Sequence, residues 1–231
     1  MSFNNKILNI FQKVQHLFIY LFKTNLNEKN YLKNKFLDYE KIVVFDIGSN
    51  LGNFSNQIRK YKIANNYFFH LFEPNKELVE VLKNKMYDCK INEVAISDQN
   101  TNGTLYLNSI SSQSSLLKDS SFLGKNIKEL NVKTIRLDSY IENESIDIIH
   151  LLKIDVEGHE FVSLKSLGKY LNINMVKVIK VEISFKDENN FTLINTLLNE
   201  NGYYLDGFTN AKYINEKILF FDAYYSAKTS G

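Results

Sequence analysis

The stretch VVFDIGSNLG at residues 43–52 decides the fold, because an apolar, β-branched run ends there and a helical pattern follows at once. Gly48 and Gly52 allow the backbone to turn sharply and to approach a ligand closely. The stretch lacks both the complete GxGxxG pattern of dinucleotide-binding folds and the GK[ST] ending of a phosphate-binding loop. Asp46 stands at the strand end, where its charge would repel a pyrophosphate and suits a ligand with a positive centre. A tight turn that binds nothing is the alternative interpretation.

A second strand, predicted over residues 67–72, ends in the sequence FEP at 72–74. Glu73 therefore lies at the same edge of the predicted sheet as Asp46, because the carboxyl ends of parallel strands share one edge. An acid at the end of the second strand is where a ribose diol is held in nucleotide-binding sheets. Glu73 alone is consistent with a solvated loop acid. Together with the Asp46 turn, it favours a nucleoside cofactor.

The chain beyond residue 40 alternates short apolar runs with helical patterns, which predicts an α/β domain with a parallel sheet covered by helices on both faces. The predicted strands are 41–45, 67–72, 90–96, 148–154 and 176–183, and the predicted helices are 52–61, 76–86, 160–171 and 191–199. Two closing strands, 202–208 and 217–225, are joined by a short turn around Asn210 and should be antiparallel. Residues 98–131 form a long loop with a small strand pair, 104–107 and 132–136.

The first 35 residues are predicted to form an amphipathic helix with apolar residues at helical spacing. Its uncharged run is shorter than the roughly 18–20 residues that span a bilayer, and no cleavage site follows it, so we expect no transmembrane segment and no signal peptide. The helix either packs on the domain or on a second copy, or lies on a membrane surface through its lysines. We divide the chain into an amphipathic helical extension, 1–38, and one α/β domain, 39–231. The apolar stripe comprises Ile7, Ile10, Phe11, Val14, Leu17, Phe18, Leu21 and Phe22.

Composition narrows the class of protein. The 231 residues carry 28 basic and 26 acidic side chains, a formal charge of +2, which argues against a dedicated nucleic-acid binder. The single cysteine, Cys89, cannot form an intramolecular disulfide, so nothing indicates an oxidising compartment. We therefore expect a cytoplasmic protein whose partner is not a nucleic acid, with homo-oligomerisation left open.

Five motifs in order resemble the FkbM family of S-adenosylmethionine-dependent methyltransferases. They are DIGSNLG at 46–52, FEP at 72–74, NEVAISD at 92–98, TIRLDSY at 134–140 and LKIDVEGHE at 152–160. The resemblance covers about residues 42–185 and leaves the N-terminal stripe outside. It implies the Rossmann-like class I methyltransferase fold, a seven-stranded, mostly parallel sheet with an antiparallel last strand. That agrees with the closing hairpin predicted from spacing.

The resemblance also assigns roles to single positions. It implies that Glu73 takes the ribose hydroxyls and that Asn92 and Ala95 lie near the adenine. A serine-rich loop, from which we single out Ser112 and Ser115 as substrate-binding residues, would close near the site. The methionine part of the cofactor would be held by Asp46, Gly48, Asn50 and Gly52.

Methyl transfer is an in-line displacement, so the protein must align the acceptor and, for a hydroxyl, remove its proton. Asp155 ends the fourth strand, where it would contact both cofactor and substrate, and we expect it to be essential. His159 has the side chain best matched to a base near neutral pH, with an exposed histidine at a helix start as the alternative. Glu157 is a further catalytic candidate or a helix N-terminal acid. Lys153 alternates with Asp155 and could pair with it.

Glu182 ends the fifth strand and is a candidate substrate-binding acid. Asp155 and Glu182 lie on adjacent strand ends, so a magnesium ion is conceivable, but the sequence offers no obvious third ligand and we do not favour a metal. The leading hypothesis is S-adenosylmethionine-dependent O-methylation of a hydroxyl. The resemblance implies that the acceptor is a small molecule or a glycan: a sugar of a glycan or a secondary metabolite. The alternatives are a binding or scaffold protein without transfer activity and a methyltransferase acting on protein or lipid.

Overall fold

The computed structural model describes residues 26–108, 114–117, 127–185, 190–214 and 217–228. The strands are β1 Lys41–Ile47, β2 Asn66–Phe72, β3 Cys89–Asn92, β4 Ala95–Ile96, β5 Thr101–Asn108, β6 Ser114–Ser115, β7 Ile127–Ile135, β8 Ile149–Ile154, β9 Val176–Ser184, β10 Tyr203–Ile214 and β11 Lys217–Ala227. The helices are α1 Glu28–Lys35, α2 Asn53–Tyr61, α3 Lys76–Lys85, α4 Leu137–Asn143, α5 Glu160–Lys165 and α6 Asn190–Glu200, with a 3-10 turn at Gly168–Tyr170.

Seven strands form one sheet in the order β10-β11-β9-β8-β1-β2-β3. The five strands from β9 to β3 are parallel, whereas β11 is antiparallel to both of its neighbours. This is the predicted methyltransferase-like topology. From β1 the chain adds β2 and β3 on one side of the sheet, and from β8 it adds β9 on the other side. The carboxyl ends of β1 and β8 therefore flank the point where ligands bind in open α/β sheets.

Every residue of β8 is buried, as expected for a strand at the centre of a sheet covered on both faces. The two faces of the sheet carry separate apolar clusters. One cluster includes Phe45, Tyr140 and Leu164. The other includes Phe36, Ile58 and Leu82, which helices α2 and α3 and the end of α1 supply. Residues of β1 and β8 belong to both clusters, so packing on both faces holds these two strands and positions the turns that follow them.

A second sheet, in the order β4-β7-β5-β6, lies beside the carboxyl edge of the first. Its antiparallel pair β5–β7 confirms the strand pair predicted within the long loop, at greater length than predicted. The short strand β6 pairs with β5 through Ser115 and Ser114. Ser115 is thereby held in the second sheet, and its hydroxyl donates to the Glu157 carbonyl in the turn after β8.

Three of the predicted elements differ from the structure. The predicted strand 90–96 is two strands in different sheets, because the Asn92 amide donates to the carbonyls of Leu71 and Lys90 and the chain then changes direction. The helix predicted over 160–171 ends at Lys165, and a 3-10 turn follows it. Asn210 is not in the hairpin turn, because β10 continues to Ile214 with register irregularities on the way.

Helix α4 was not predicted, because its seven residues are too few to show a helical period. The predicted N-terminal stripe, Ile7 to Phe22, lies outside the described residues. The short helix α1 follows, and Leu32 on this helix is completely buried in the core. Within the residues that the structure describes, no helix has the length and apolar character needed to cross a membrane.

Candidate active site

The glycine turn after β1 is fastened to the end of β2. The backbone N–H groups of Gly48 and Ser49 both donate to the Phe72 carbonyl, at 3.0 and 3.1 Å. A Cβ on Gly48 would lie 2.0 Å from the Asp155 carbonyl oxygen, far inside van der Waals contact. Glycine at this position therefore lets the turns after β1 and β8 touch each other.

Glu73 lies at the end of β2, where the sequence predicted a ribose-binding acid. Its Oε2 accepts the Asn50 N–H and its Oε1 accepts the Asn75 N–H, both at 2.9 Å. Burial raises the pKa of this carboxyl, against the opposing effect of the two backbone hydrogen bonds. A carboxylate offers about four acceptor positions, so capacity remains for ligand hydroxyls.

A buried ion pair supports the turn from below. Lys153 Nζ lies 3.3 Å from Asp46 Oδ1 and 3.5 Å from Asp155 Oδ2, and it donates to the Gly48 carbonyl at 2.8 Å. Asp46 is completely buried and also accepts a hydrogen bond from the Ser55 hydroxyl. Burial opposes the charge on Lys153, but Asp155 and Asp46 outweigh it and raise the pKa of the ammonium. Lys153 is therefore a fixed cation.

Two adjacent cavities open at this edge of the sheet, and Gly48, Asn50 and Asp155 line both of them. Cavity A has a volume of about 300 Å³ and lies between the first sheet and the second. It brings together most of the residues predicted to bind the cofactor, part of the serine loop and three of the four catalytic candidates. The predicted residues that line cavity A are Gly48, Asn50, Glu73, Ala95, Ser115, Asp155, Glu157 and His159.

Cavity B, of about 310 Å³, lies on the other side of Asp155, between α2 and the ends of β8, β9 and β11. Of the predicted residues it brings together Gly48, Asn50, Lys153, Asp155 and Glu182. Polar side chains that the sequence did not single out complete its wall. They are Asn53, Gln57, Lys180, Asn210 and Asp222, with the ring of Phe54 among them.

Three predicted cofactor residues line neither cavity within the described chain. Asp46 is held beneath the turn by Lys153 and Ser55. Gly52 gives room to α3, since a Cβ there would lie 3.0 Å from a methyl carbon of Leu82. Asn92 holds the end of β3 through its amide. Ser112 lies outside the described residues.

The catalytic candidates divide between the cavities. His159 and Glu157 line cavity A only. His159 Nε2 is hydrogen-bonded with the Ser97 hydroxyl at 3.1 Å, and burial lowers the pKa of the imidazole, which favours its neutral form. Lys153 and Glu182 line cavity B only. Asp155 is the one acid among these five that lines both.

Glu182 has the most perturbed carboxyl in cavity B. Burial, followed by repulsion from Asp155 and Glu157, raises its pKa to about 9. This shift favours the protonated form of the Glu182 carboxyl, which can donate a hydrogen bond. Among the described residues, no group of three or more histidine, cysteine, aspartate or glutamate side chains is arranged to hold a metal ion.

Comparison with known protein families identifies the family to which this chain belongs. A family model for the methyltransferase FkbM domain matches residues 46–205, more than half of the chain. The chain belongs to the FkbM methyltransferase family. No curated protein matches at a significant level.

Solved structures agree with the fold that this family implies. An FkbM methyltransferase from Methylobacillus flagellatus KT superposes with a TM-score of 0.51 at 12% identity, covering 79% of this chain and 44% of that one. A suspected rRNA methylase from Clostridium thermocellum gives a TM-score of 0.51 at 12% identity, covering 88% and 95% of the two chains. The METTL16 methyltransferase domain gives a TM-score of 0.50 at 10% identity, covering 87% of this chain and 67% of that one. At these identities the likeness establishes the fold, and this chain spans less than half of the first structure.

The family motif at 152–160 contains one more residue with a clear task, Glu160. This carboxyl is completely buried and its Oε1 accepts the N–H groups of Val156 and Gly158, at 3.1 and 3.0 Å. It thus shapes the turn that carries Asp155. Sequence reasoning gave it no role, although an acid in the first turn of a helix is a recognisable signal.

Some of the residues that line cavity B could have been predicted from the sequence. Asn53 and Gln57 are one helical turn apart at the start of α2, so they share a face. Lys180 and Glu182 alternate along a mostly apolar, buried strand, where charged side chains are unusual. Asp222 is the register partner of Glu182 on β11, a relation that only the sheet pairing shows.

Burial of Glu160 predicts a pH-dependent stability. Burial raises its folded pKa to about 7, above its ordinary value of 4.5, so its stabilising contribution is full at low pH and is lost as pH rises through 7. Glu160→Gln keeps the accepting oxygen and removes the charge. We expect its free energy of unfolding, relative to wild type, to rise by about 2–3 kcal/mol between about pH 5 and about pH 8.

Urea denaturation at several pH values measures this difference. Glu142→Gln serves as the control, since the Glu142 side chain is exposed on α4 and pairs with the exposed Lys169. A Glu160→Gln difference that stays constant with pH would contradict the prediction.

Proposed function

We propose that this chain transfers a methyl group from S-adenosylmethionine to a hydroxyl group, on a sugar of a glycan or on a secondary metabolite. The observation that carries the proposal is the position of Asp155, which separates two cavities directly against the glycine turn. Cavity A would take the adenosine of the cofactor and cavity B the acceptor, so that the methyl group would pass beside Asp155.

The residues of cavity A fit the cofactor. Gly48 leaves a cradle that a Cβ would fill. Glu73 presents buried acceptor oxygens at the end of β2, suited to a ribose diol. Asp155 supplies negative charge near the junction of the cavities, which suits the positive sulfonium and ammonium groups. Family membership supports the same assignment.

When bound, S-adenosylmethionine supplies an electrophilic methyl group and a good leaving group. Asp155 would accept the hydroxyl proton of the acceptor, a general-base role that typically contributes about 10²–10⁴-fold to a rate. Lys153 holds the Asp155 carboxylate in place from the buried side. The protonated Glu182 would donate a hydrogen bond to the acceptor and so orient it. His159 lines cavity A, the cofactor side in this proposal, so we assign the base role to Asp155.

The wall of cavity B supports a hydroxyl-rich acceptor. The amides of Asn53, Gln57 and Asn210 can each donate and accept hydrogen bonds, as sugar hydroxyls require. Phe54 offers an aromatic ring for the apolar face of a sugar ring. This composition is less suited to an apolar lipid chain, so we favour the sugar.

The test is methyl transfer from isotopically labelled S-adenosylmethionine to a panel of neutral sugars, glycans and phenols, with protein, lipid and RNA as the competing classes. Binding of S-adenosylhomocysteine is measured by calorimetry in parallel, and turnover is repeated with a chelator. We expect binding of the product and transfer to a hydroxyl, unaffected by the chelator. Absence of S-adenosylhomocysteine binding would contradict the proposal and favour a scaffold role.

Asp155→Asn tests the mechanism. We expect turnover to fall by about 100-fold or more, because the amide cannot accept the proton, while S-adenosylhomocysteine affinity changes by no more than about threefold. Asp147→Asn is the matched control, since Asp147 is exposed and precedes the opposite end of β8. Near-wild-type turnover of Asp155→Asn would remove Asp155 from the chemistry.

A further inference from the structure

We propose that cavity B admits uncharged, hydroxyl-bearing acceptors and excludes phosphorylated ones, because Glu28 and Asp222 neutralise Lys180 in its wall. The inference rests on the proposed function for the identity of cavity B as the acceptor site. It assigns Glu28 as a positioning residue that acts through Lys180. Glu28 lies on α1, outside the region 46–205 that the family model matches.

Lys180 is the cation that a phosphate group entering cavity B would meet on β9. Its ammonium lies 2.9 Å from Glu28 Oε1 and 3.1 Å from Asp222 Oδ2, and all three side chains are nearly buried. The rings of Phe54 and Tyr224 flank the same ammonium, with centroids 4.9 and 5.4 Å away. Two carboxylates and two rings therefore surround it.

Glu28 is itself held in one position. Its Oε2 accepts hydrogen bonds from the Tyr61 hydroxyl at 2.6 Å and from the Gln57 amide at 2.8 Å, and Tyr224 donates to Oε1. Burial tends to raise the pKa of Glu28, but Lys180 and the tyrosine hydrogen bonds outweigh it and lower the pKa. Glu28 is thus a fixed anion that links α1 to a residue of the cavity wall, Gln57.

The other cation of the described wall is occupied in the same way. Lys153 donates to two backbone carbonyls and pairs with Asp46 and Asp155. Asp155 and Asp222 add negative charge around the cavity, so a phosphate would be repelled and would find no unpaired cation among the described lining residues. Neutral hydroxyls carry no such penalty and can bind the amides and Asp222.

Acetylation of lysines by acetic anhydride, read by mass spectrometry, tests the proposal without an acceptor or a cofactor. The rate at Lys180 is measured as a function of pH relative to exposed Lys85, with and without millimolar inorganic phosphate. In wild type we expect Lys180 to react slowly, because burial lowers but Asp222 and Glu28 raise its pKa, with a net increase. We expect phosphate to leave the Lys180 rate unchanged.

Glu28→Gln preserves the shape of the side chain and removes its charge. We expect it to raise the Lys180 rate by about tenfold, the effect of about one pKa unit, whereas Glu142→Gln leaves the rate unchanged. In the double variant Glu28→Gln/Asp222→Asn the cation is unpaired, and phosphate should then slow acetylation by about threefold or more, by occupying the site.

Slower acetylation of wild-type Lys180 in the presence of phosphate would overturn the proposal. This measurement uses the wild-type protein, so it does not depend on the folding of any variant. An unchanged Lys180 pH profile in folded Glu28→Gln would overturn it as well. Calorimetry with S-adenosylhomocysteine reports separately on the proposed function. If S-adenosylhomocysteine fails to bind while the acetylation results are as expected, cavity B is no longer assigned as the acceptor site. The neutralisation of Lys180 by Glu28 and Asp222 then still stands.

Discussion

Gly48→Ala is expected to weaken S-adenosylhomocysteine binding by about 100-fold or more, equivalent to about 2.7 kcal/mol. The added Cβ would lie 2.0 Å from the Asp155 carbonyl oxygen and 3.1 Å from its carbonyl carbon, so two backbone segments must separate. Both segments line cavities A and B, and the Gly48 carbonyl also accepts a hydrogen bond from Lys153. The substitution therefore distorts the junction where the methyl group would pass.

Gly202→Ala is the matched control for this experiment. Gly48 and Gly202 both have positive φ, +74° and +85°, so alanine is strained at either position by about 1–2 kcal/mol. A Cβ on Gly202 would meet only a methyl group of Ile173, at 3.4 Å, and Gly202 precedes β10 away from both cavities. We expect Gly202→Ala to lose stability but to retain binding. Equal affinity of folded Gly48→Ala and wild type would contradict the role of the close approach.

Lys153→Met is expected to lower the free energy of unfolding by about 3–5 kcal/mol, because it leaves the completely buried Asp46 without its cation. The cost comes from the uncompensated charge more than from the lost attraction. A second substitution that removes the charge, Asp46→Asn, should therefore restore a large part of the stability. Urea denaturation of wild type, both single variants and the double variant provides the complete thermodynamic cycle.

Lys169→Met is a useful comparison, because Lys169 forms an ion pair of similar length, 2.9 Å, with Glu142 on the surface. Solvent screens that pair, so we expect little change in stability. A loss at Lys153 no larger than the loss at Lys169 would contradict the interpretation of Asp46 and Lys153 as a structural pair.

The parts of the site that the sequence predicted are those that depend on local chain direction. The glycine turn follows β1 directly and Glu73 follows β2 directly, so their meeting at one sheet edge needs only the rule for parallel strands. The division of candidates between two cavities could not be predicted in this way. Glu157 has a positive φ of 54° and Gly158 one of 101°, so the alternation of side chains ends after β8 and no longer tells which side Glu157 and His159 occupy.

Long-range pairing explains the other omissions. Lys180 and Glu28 are 152 positions apart, and no pattern in either segment indicates the other. The sequence likewise predicted a continuous strand over 90–96, although Asn92 and Glu93 interrupt its apolar residues. Only the hydrogen bonds of the Asn92 side chain show why that strand breaks between two sheets.

The position of β11 has a consequence for biosynthesis. This strand comes last in the described chain, yet it lies between β9 and β10 and contributes the fully buried side chains of Phe221, Tyr224 and Tyr225. While the polypeptide emerges from the ribosome, β9 has an open edge and β10 has no neighbour until β11 has been translated. The sheet therefore closes only once β11 has been translated. A fragment cut at residue 205, where the family match ends, would expose an aggregation-prone edge and lose Asp222 from cavity B.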